Sequence, residues 1–154
     1  MSAIKSCSLS IVGDGSVGKS TVTAAFRNEG FLKVYKQTIG VDFYEKQLVL
    51  RDNVPLSLRV WDVGGQSIQS KNLELYVAQS DIVLLMYDVT NTESFMNVED
   101  WLERVRGFSQ QKCVLFLVGN KVDLIALRQV KEAQHDKFIV DHDLQGIFMC
   151  TCIN

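Results

Sequence analysis

Apolar residues in this chain fall into short blocks whose spacing alternates between the period of a strand and the period of a helix. Ile4 to Val12 alternates loosely and predicts a first strand. Val41 to Leu50 and Val54 to Trp61 predict two more, joined through Arg51-Asp52-Asn53 as a hairpin, with Pro55 suited to a strand start. Ile82 to Tyr87 and Cys113 to Val118 are near-continuous apolar runs, the pattern of strands covered on both faces. Ile147 to Cys150 predicts a last strand. Helical spacing fills the gaps. A helix from Lys19 is expected to end near Asn28-Glu29-Gly30, and Ser70 to Ala78 predicts a short one. Asn91 opens another, with Phe95, Val98, Leu102 and Val105 on one face and Gly107 near its end. Arg128 to Val140 predicts a weaker helix, with His135 and His142 expected on a solvated surface. Phe31 to Gly40 has no periodicity and reads as a loop.

The order strand–helix–hairpin–helix–strand–helix–strand–helix–strand predicts an α/β fold: a mostly parallel six-stranded sheet with helices on both faces, in three layers. Ligands of such sheets sit at the carboxyl ends of the strands. The glycine-rich turn after Val12, then Asp62, Asp88, Asn120 and the residues after Cys150, all follow predicted strand ends. One site could gather them.

That turn is Gly13-Asp14-Gly15-Ser16-Val17-Gly18-Lys19-Ser20. It lies between a strand and a helix, the context in which G-x-x-x-x-G-K-[ST] binds phosphate. The glycines let successive N–H groups face an anion, and the helix adds its positive end. Lys19 offers a charge to the β- and γ-phosphates, and the Ser20 hydroxyl suits Mg²⁺. The candidate phosphate residues are Gly13, Asp14, Gly15, Ser16, Val17, Gly18, Lys19, Ser20 and Thr21.

Composition narrows the picture. The chain has 154 residues, enough for one domain with a real core, and 47% of them are hydrophobic. A net charge of −2 argues against a nucleic-acid partner. Neither a secretory signal nor a bilayer-length apolar run is visible. Among Cys7, Cys113, Cys150 and Cys152 there is no Cys-x-x-Cys pair, so zinc is not suggested. Cys7 and Cys113 are expected to pack as small core side chains, in a reducing cytoplasm.

Asn120-Lys121-Val122-Asp123 follows the strand ending at Val118. An Asp123 carboxylate can accept from both N1–H and N2–H₂ of guanine, and adenine lacks that donor pair. Lys121 can cover the base with its stem, and Asn120 can tie this loop to the phosphate loop. With both motifs in place the chain resembles a Ras-superfamily small GTPase of the Rab family, from about Ile4 to about Cys150. The resemblance implies a P-loop G domain that binds GTP and GDP with Mg²⁺ and hydrolyses GTP slowly. It implies effector, exchange-factor and GTPase-activating partners in vesicle and protein transport. Thr38, in Thr38-Ile39-Gly40-Val41-Asp42-Phe43, would complete the metal shell with Ser20 and Asp62. Phe31 would lie against guanine, and Tyr35 would close over the phosphates. In Trp61-Asp62-Val63-Gly64-Gly65-Gln66, Gly65 would donate to the γ-phosphate and Gln66 would orient the attacking water. Gln66 and Lys19 are thus the catalytic candidates.

Two stretches depart from the family pattern. Val63 and Gly64 stand where Rabs most often have threonine and alanine, and Ser67 to Leu73 also differs. Both resemble the divergent Rab subfamily numbered twenty-eight, which implies endosomal or ciliary membranes for a full-length form. Thr151-Cys152-Ile153 stands where Ser-Ala-Lys usually completes the guanine pocket, and Ile153 cannot replace the polar head of the lysine. The expected final helix and prenylated tail do not follow, so the reading is a G domain over residues 1–154 cut after its last strand, with membrane association in doubt. Cys150-x-Cys152 is similar to a Rab ending but lies against the last strand. A truncated domain that holds nucleotide poorly and acts by binding partners is the alternative. An ATP-using phosphate-loop enzyme would leave Asn120 to Asp123 unexplained.

Overall fold

The computed structural model describes residues 4–27, 37–108 and 113–148. The strands are β1 (Lys5–Val12), β2 (Val41–Val49), β3 (Pro55–Val63), β4 (Ile82–Asp88), β5 (Val114–Asn120) and β6 (Gln145–Phe148). The helices are α1 (Lys19–Phe26), α2 (Asn72–Val77), α3 (Thr92–Met96), α4 (Val98–Phe108) and α5 (Glu132–His142). All six strands join one sheet in the order β2-β3-β1-β4-β5-β6. β2 runs antiparallel to β3, and the other pairs are parallel. The α/β sheet predicted from the apolar pattern is therefore present.

β4 shows why the runs are continuous. Val83, Leu85 and Tyr87 enter the larger core, with Trp101, Leu102 and Val105 of α4. Met86 and the partly buried Leu84 enter the smaller one, with Val17 of the turn before α1 and Val22 of α1. Because side chains alternate across a strand, burial on both faces demands an unbroken apolar run. Reversing the order of strands at β1, between β3 and β4, opens a crevice at the carboxyl end of the sheet.

Some boundaries differ from those read in the sequence. β3 continues through Asp62 and Val63, since Asp62 is paired with Ile11 on one side and Asp42 on the other. The helix opened by Asn91 is interrupted at Asn97, whose side-chain amide is drawn to Asp14 at 2.6 Å. α5 starts at Glu132 because the N–H groups of Gln129 and Val130 are both turned onto the Val89 carbonyl.

His135 is a correction. It was expected on a solvated face, yet it is 1% exposed, with Nδ1 3.0 Å from the Tyr87 hydroxyl and its ring 4.0 Å from that of Phe148. His135, Phe138, Ile139 and His142 recur at helical spacing, so the histidine belongs to the buried stripe of α5. His142 lies only partly buried, against Phe138. Cys7 and Cys113 are half-buried rather than enclosed.

Candidate functional site

β1 delivers the chain into the glycine-rich turn with Val12 fully buried. Gly18 ends the turn at φ 102°, a conformation that favours glycine, and caps α1 without a side-chain bond. No acidic residue stands in the first turn of α1, so its positive end is left for an anion. Lys19 is folded into the turn. Its Nζ donates to the carbonyls of Gly13 at 2.8 Å and Asp14 at 2.6 Å. Burial lowers its pKa to about 8, against the pull of the Asp62 and Asp14 carboxylates. A buried ammonium held only by carbonyls is poorly compensated, and an anion in the turn would compensate it.

The Asp14 side chain points elsewhere. Its two oxygens accept from Asn97 Nδ2 at 2.6 Å and Trp101 Nε1 at 2.9 Å. Asp14 thus offers the turn its backbone alone, while its carboxylate fastens the turn to the α3–α4 junction. Val17 is buried in the smaller core. Gly15 and Ser16 are exposed, and Thr21 is partly buried.

Ser20, Thr38 and Asp62 come together from α1, the segment before β2, and β3. Ser20 Oγ donates to Asp62 Oδ2 at 2.6 Å and lies 2.9 Å from Thr38 Oγ1. With the Ser20 proton committed to the carboxylate, Thr38 is the donor in the second bond. Asp62 is 2% exposed, and its Oδ1 has no hydrogen-bond partner among the described residues. Burial raises its pKa, opposed by the Ser20 hydrogen bond and the charge of Lys19. Two hydroxyls and a buried carboxylate with an unpaired oxygen form a hard-oxygen donor set that fits Mg²⁺.

The other end of the crevice is built by β5. Asn120 is fully buried, and its Nδ2 donates to the Val17 carbonyl at 2.9 Å. Its Oδ1 has no partner among the described residues. Lys121 sits at φ 62°, a left-handed conformation uncommon for a lysine. Its Nζ donates to the Ser16 carbonyl at 2.9 Å and pairs with Asp88 Oδ2 at 2.6 Å. Asp88 and Asn120 are register partners on neighbouring strands. The Asp88 carboxylate is further held by the Thr90 N–H at 2.8 Å and hydroxyl at 2.6 Å. Asp123 is exposed at the rim. Gly65 backs directly onto Gly15, where a β-carbon would strike its backbone. The Gln66 side chain is exposed beside them. Phe31, Tyr35, Thr151 and Cys152 lie outside the described residues.

Three contributors were not singled out from the sequence: Asn97, Trp101 and the ion-pairing role of Asp88. The Asp14 contacts span 83 and 87 residues, which no local pattern reveals. For Asp88 a signal existed, because adjacent parallel strands must bring their last residues side by side.

The sequence model of the Ras family matches residues 8–152. The Ras-related protein Rab-28 of Caenorhabditis elegans is 38% identical over 142 residues, covering 90% of this chain and 57% of the relative. The Ras-related protein Rab-26 of Rattus norvegicus is 36% identical over 135 residues, covering 87% of this chain and 52% of the relative. The chain thus spans little more than half the length of these curated relatives. A family match over nearly all of the sequence, together with a glycine turn, hydroxyl–carboxylate cluster and Asn-Lys-x-Asp loop at one sheet end, places the chain in the Ras family.

Proposed function

We propose that this chain is a guanine-nucleotide switch that binds GTP and GDP with Mg²⁺ and hydrolyses GTP slowly. Its setting would be vesicle and protein transport, as the Rab resemblance implies. The convergence of Ser20, Thr38 and Asp62 beside the buried Lys19 carries the reading. In it, Lys19 exchanges the Gly13 and Asp14 carbonyls for phosphate oxygens. Ser20, Thr38 and Asp62 hold Mg²⁺, which when bound neutralises charge on those oxygens. Gly13 to Thr21 supply backbone N–H groups, and Gly65 supplies one to the γ-phosphate. Asp123 selects guanine, with Asn120 and Lys121 setting its loop. Phe31, Tyr35, Thr151 and Cys152 complete the nucleotide contacts by resemblance.

Gln66 orients the water in this reading. It carries no charge, so fast turnover requires positive charge from a partner. Ile39 is 92% exposed and Phe43 44% exposed, next to the Thr38 segment. Phe43 lies 4.3 Å from the Trp61 ring and Trp61 5.1 Å from that of Tyr76. This aromatic surface supports effector binding beside a nucleotide-sensing segment. No helix among the described residues is long and apolar enough to cross a membrane. A peripheral role on endosomal or ciliary membranes belongs to a full-length form.

Competition of GDP and ADP against a fluorescent nucleotide tests base choice. GDP should win by orders of magnitude, and equal competition overturns the reading. Single-turnover phosphate release from the Mg²⁺·GTP complex tests catalysis. Gln66→Leu should slow release while leaving GTP affinity nearly intact, and matching rates would remove Gln66 from the mechanism.

A further inference from the structure

Among the described residues, five that are not glycine have positive φ. Asp52 and Asn53 lie in the β2–β3 hairpin and Asp143 caps α5, places where such a backbone is ordinary. The other two are Ser16 at 65° and Lys121 at 62°, and they are joined to each other: the Lys121 ammonium donates to the Ser16 carbonyl at 2.9 Å. A left-handed backbone is disfavoured for both residue types, so it persists only where the surroundings hold it. Lys121 is held at the far end of its side chain. Its Nζ meets Asp88 Oδ2 at 2.6 Å, and the Asp88 side chain is only 9% exposed. That carboxylate is not free to turn, because the Thr90 N–H and hydroxyl both bond its other oxygen. The turn after β4 grips the loop after β5 elsewhere as well. The Val89 N–H donates to the Asn120 carbonyl at 3.1 Å, and the Val89 carbonyl accepts from Gln129 and Val130. Of these holds, the Asp88–Lys121 pair is the charged one, and it continues through Lys121 to the glycine turn.

We propose that Asp88 is a positioning residue for nucleotide retention: it holds the Lys121 ammonium on the Ser16 carbonyl and so clasps the loop after β5 to the glycine turn. The inference rests on the nucleotide-switch reading above, in which the Lys121 stem covers the base. Asp88 does not meet the ligand in that reading and acts through Lys121. Pinned at Nζ, the stem has few rotamers left to lose when a base arrives. Freed from Asp88, the ammonium has Ser16 alone, and the four-carbon stem regains its rotamers. The stem covers a face of the base and does not read its edge, so bases that differ only at the edge are held by it alike.

The test is the rate at which the full chain, in excess Mg²⁺, releases GDP and inosine diphosphate, which lacks the 2-amino group. It is measured for wild type, Asp88→Asn, Lys121→Met and the double variant. Asp88→Asn should speed release of both nucleotides by about tenfold, the size of one hydrogen bond to a charged group, and leave the ratio of the two rates as it was. Lys121→Met keeps an apolar stem without the ammonium and should speed release at least as much. Adding Asp88→Asn to it should change the rate by less than about twofold, since both substitutions open the same clasp. Release that is unchanged or slowed in Asp88→Asn overturns the proposal, even where the melting temperature falls, because Asp88 would then support the fold alone. Effects that multiply in the double variant overturn it too. So does acceleration confined to GDP, which would place Asp88 behind the edge-reading Asp123. If Asp88→Asn does not fold, Thr90→Val loosens the same carboxylate without removing a charge. It should speed release in the wild-type background and not in Lys121→Met, and equal acceleration in both overturns the role of Lys121. Failure of the wild type to bind GDP at all is a separate result, which overturns the switch reading and this inference with it.

Discussion

The two ends of the crevice are built on different physical terms. At the phosphate end, Lys19 and Asp62 are both buried, and burial shifts the pKa of each toward its neutral form. At the end proposed to take the base, the braces are buried or paired and the proposed selecting group is exposed. Asn120 is enclosed, Lys121 is tied to Ser16 and Asp88, and Asp123 stands exposed. Charge in a low-dielectric setting gives strong but indiscriminate attraction for phosphate. A carboxylate that accepts from a base tells bases apart by which donors face it. In the proposed reading affinity and selectivity fall to opposite ends, and Asn120 connects them by donating from the loop after β5 to the Val17 carbonyl of the glycine turn.

Substitution at each end should break the pair apart. Lys19→Ala removes a buried charge from the ligand's phosphates, at a cost of about 2–5 kcal/mol in nucleotide affinity. The loss should be the same for GDP and XDP, since neither base is touched. Unequal losses measured by competition would show that the two ends are not separable. Asp123→Asn should do the reverse. GDP affinity should fall by about 1.5–3 kcal/mol, the range for a hydrogen bond to a charged group. XDP affinity should rise, because an amide can donate to a 2-oxo group. An Asn variant that keeps its preference for GDP would move base selection to another residue.

A smaller effect is expected where the phosphate loop is anchored. Trp101→Phe keeps a ring in the core but leaves Asp14 Oδ1 without its indole donor. Stability should fall by about 1 kcal/mol, the net worth of one hydrogen bond, since Asp14 is partly buried and water can reach it. The ratio of GDP to XDP affinity should not change. Denaturant melts read the first quantity and competition the second. A shift in base preference would mean that the Asp14 anchor reaches the base end.

The sequence was most readable where one local rule governs. β4 and β5 had to be apolar throughout because helices cover both faces, and the glycine turn carries its geometry in its own residues. Reading failed where the deciding contact is remote. Asp14 looks like a phosphate-loop side chain until Asn97 and Trp101 arrive from α3–α4. His135 was misread because α5 is polar overall, so its narrow buried stripe is outweighed by the exposed Gln134, Asp136 and Lys137 around it.

That histidine gives the smallest and most conditional prediction, and it concerns the support of the base end. A β-carbon at Gly119 would lie 2.9 Å from both the Tyr87 hydroxyl and the Phe148 ring, so the strand leading to Asn120 rests on the layer His135 completes. Burial pushes the Tyr87 phenol up, so it keeps its proton, and its hydroxyl shares a 3.0 Å hydrogen bond with His135 Nδ1 whose direction the imidazole tautomer sets. Protonating the ring would make both its nitrogens donors and place a charge in an enclosed site. Burial is also the main cause that lowers the His135 pKa below 6.5, with Arg128 acting in the same direction and Asp136 and Glu132 against it. The unfolded chain therefore binds this proton more readily than the folded one. The contribution of His135 is fully present above about pH 6.5, its unfolded value, and is lost as pH falls toward the folded value. One proton limits the slope to about 1.4 kcal/mol per pH unit. Other carboxylates titrate in acid as well, so the informative quantity is the difference between wild type and His135→Phe, which fills the site but cannot take the proton. Urea melts between pH 7.5 and 5 should show wild-type stability falling faster than that of the variant. Parallel slopes would mean that His135 does not titrate with folding, and that the layer beneath the base end is held by its ring contacts alone.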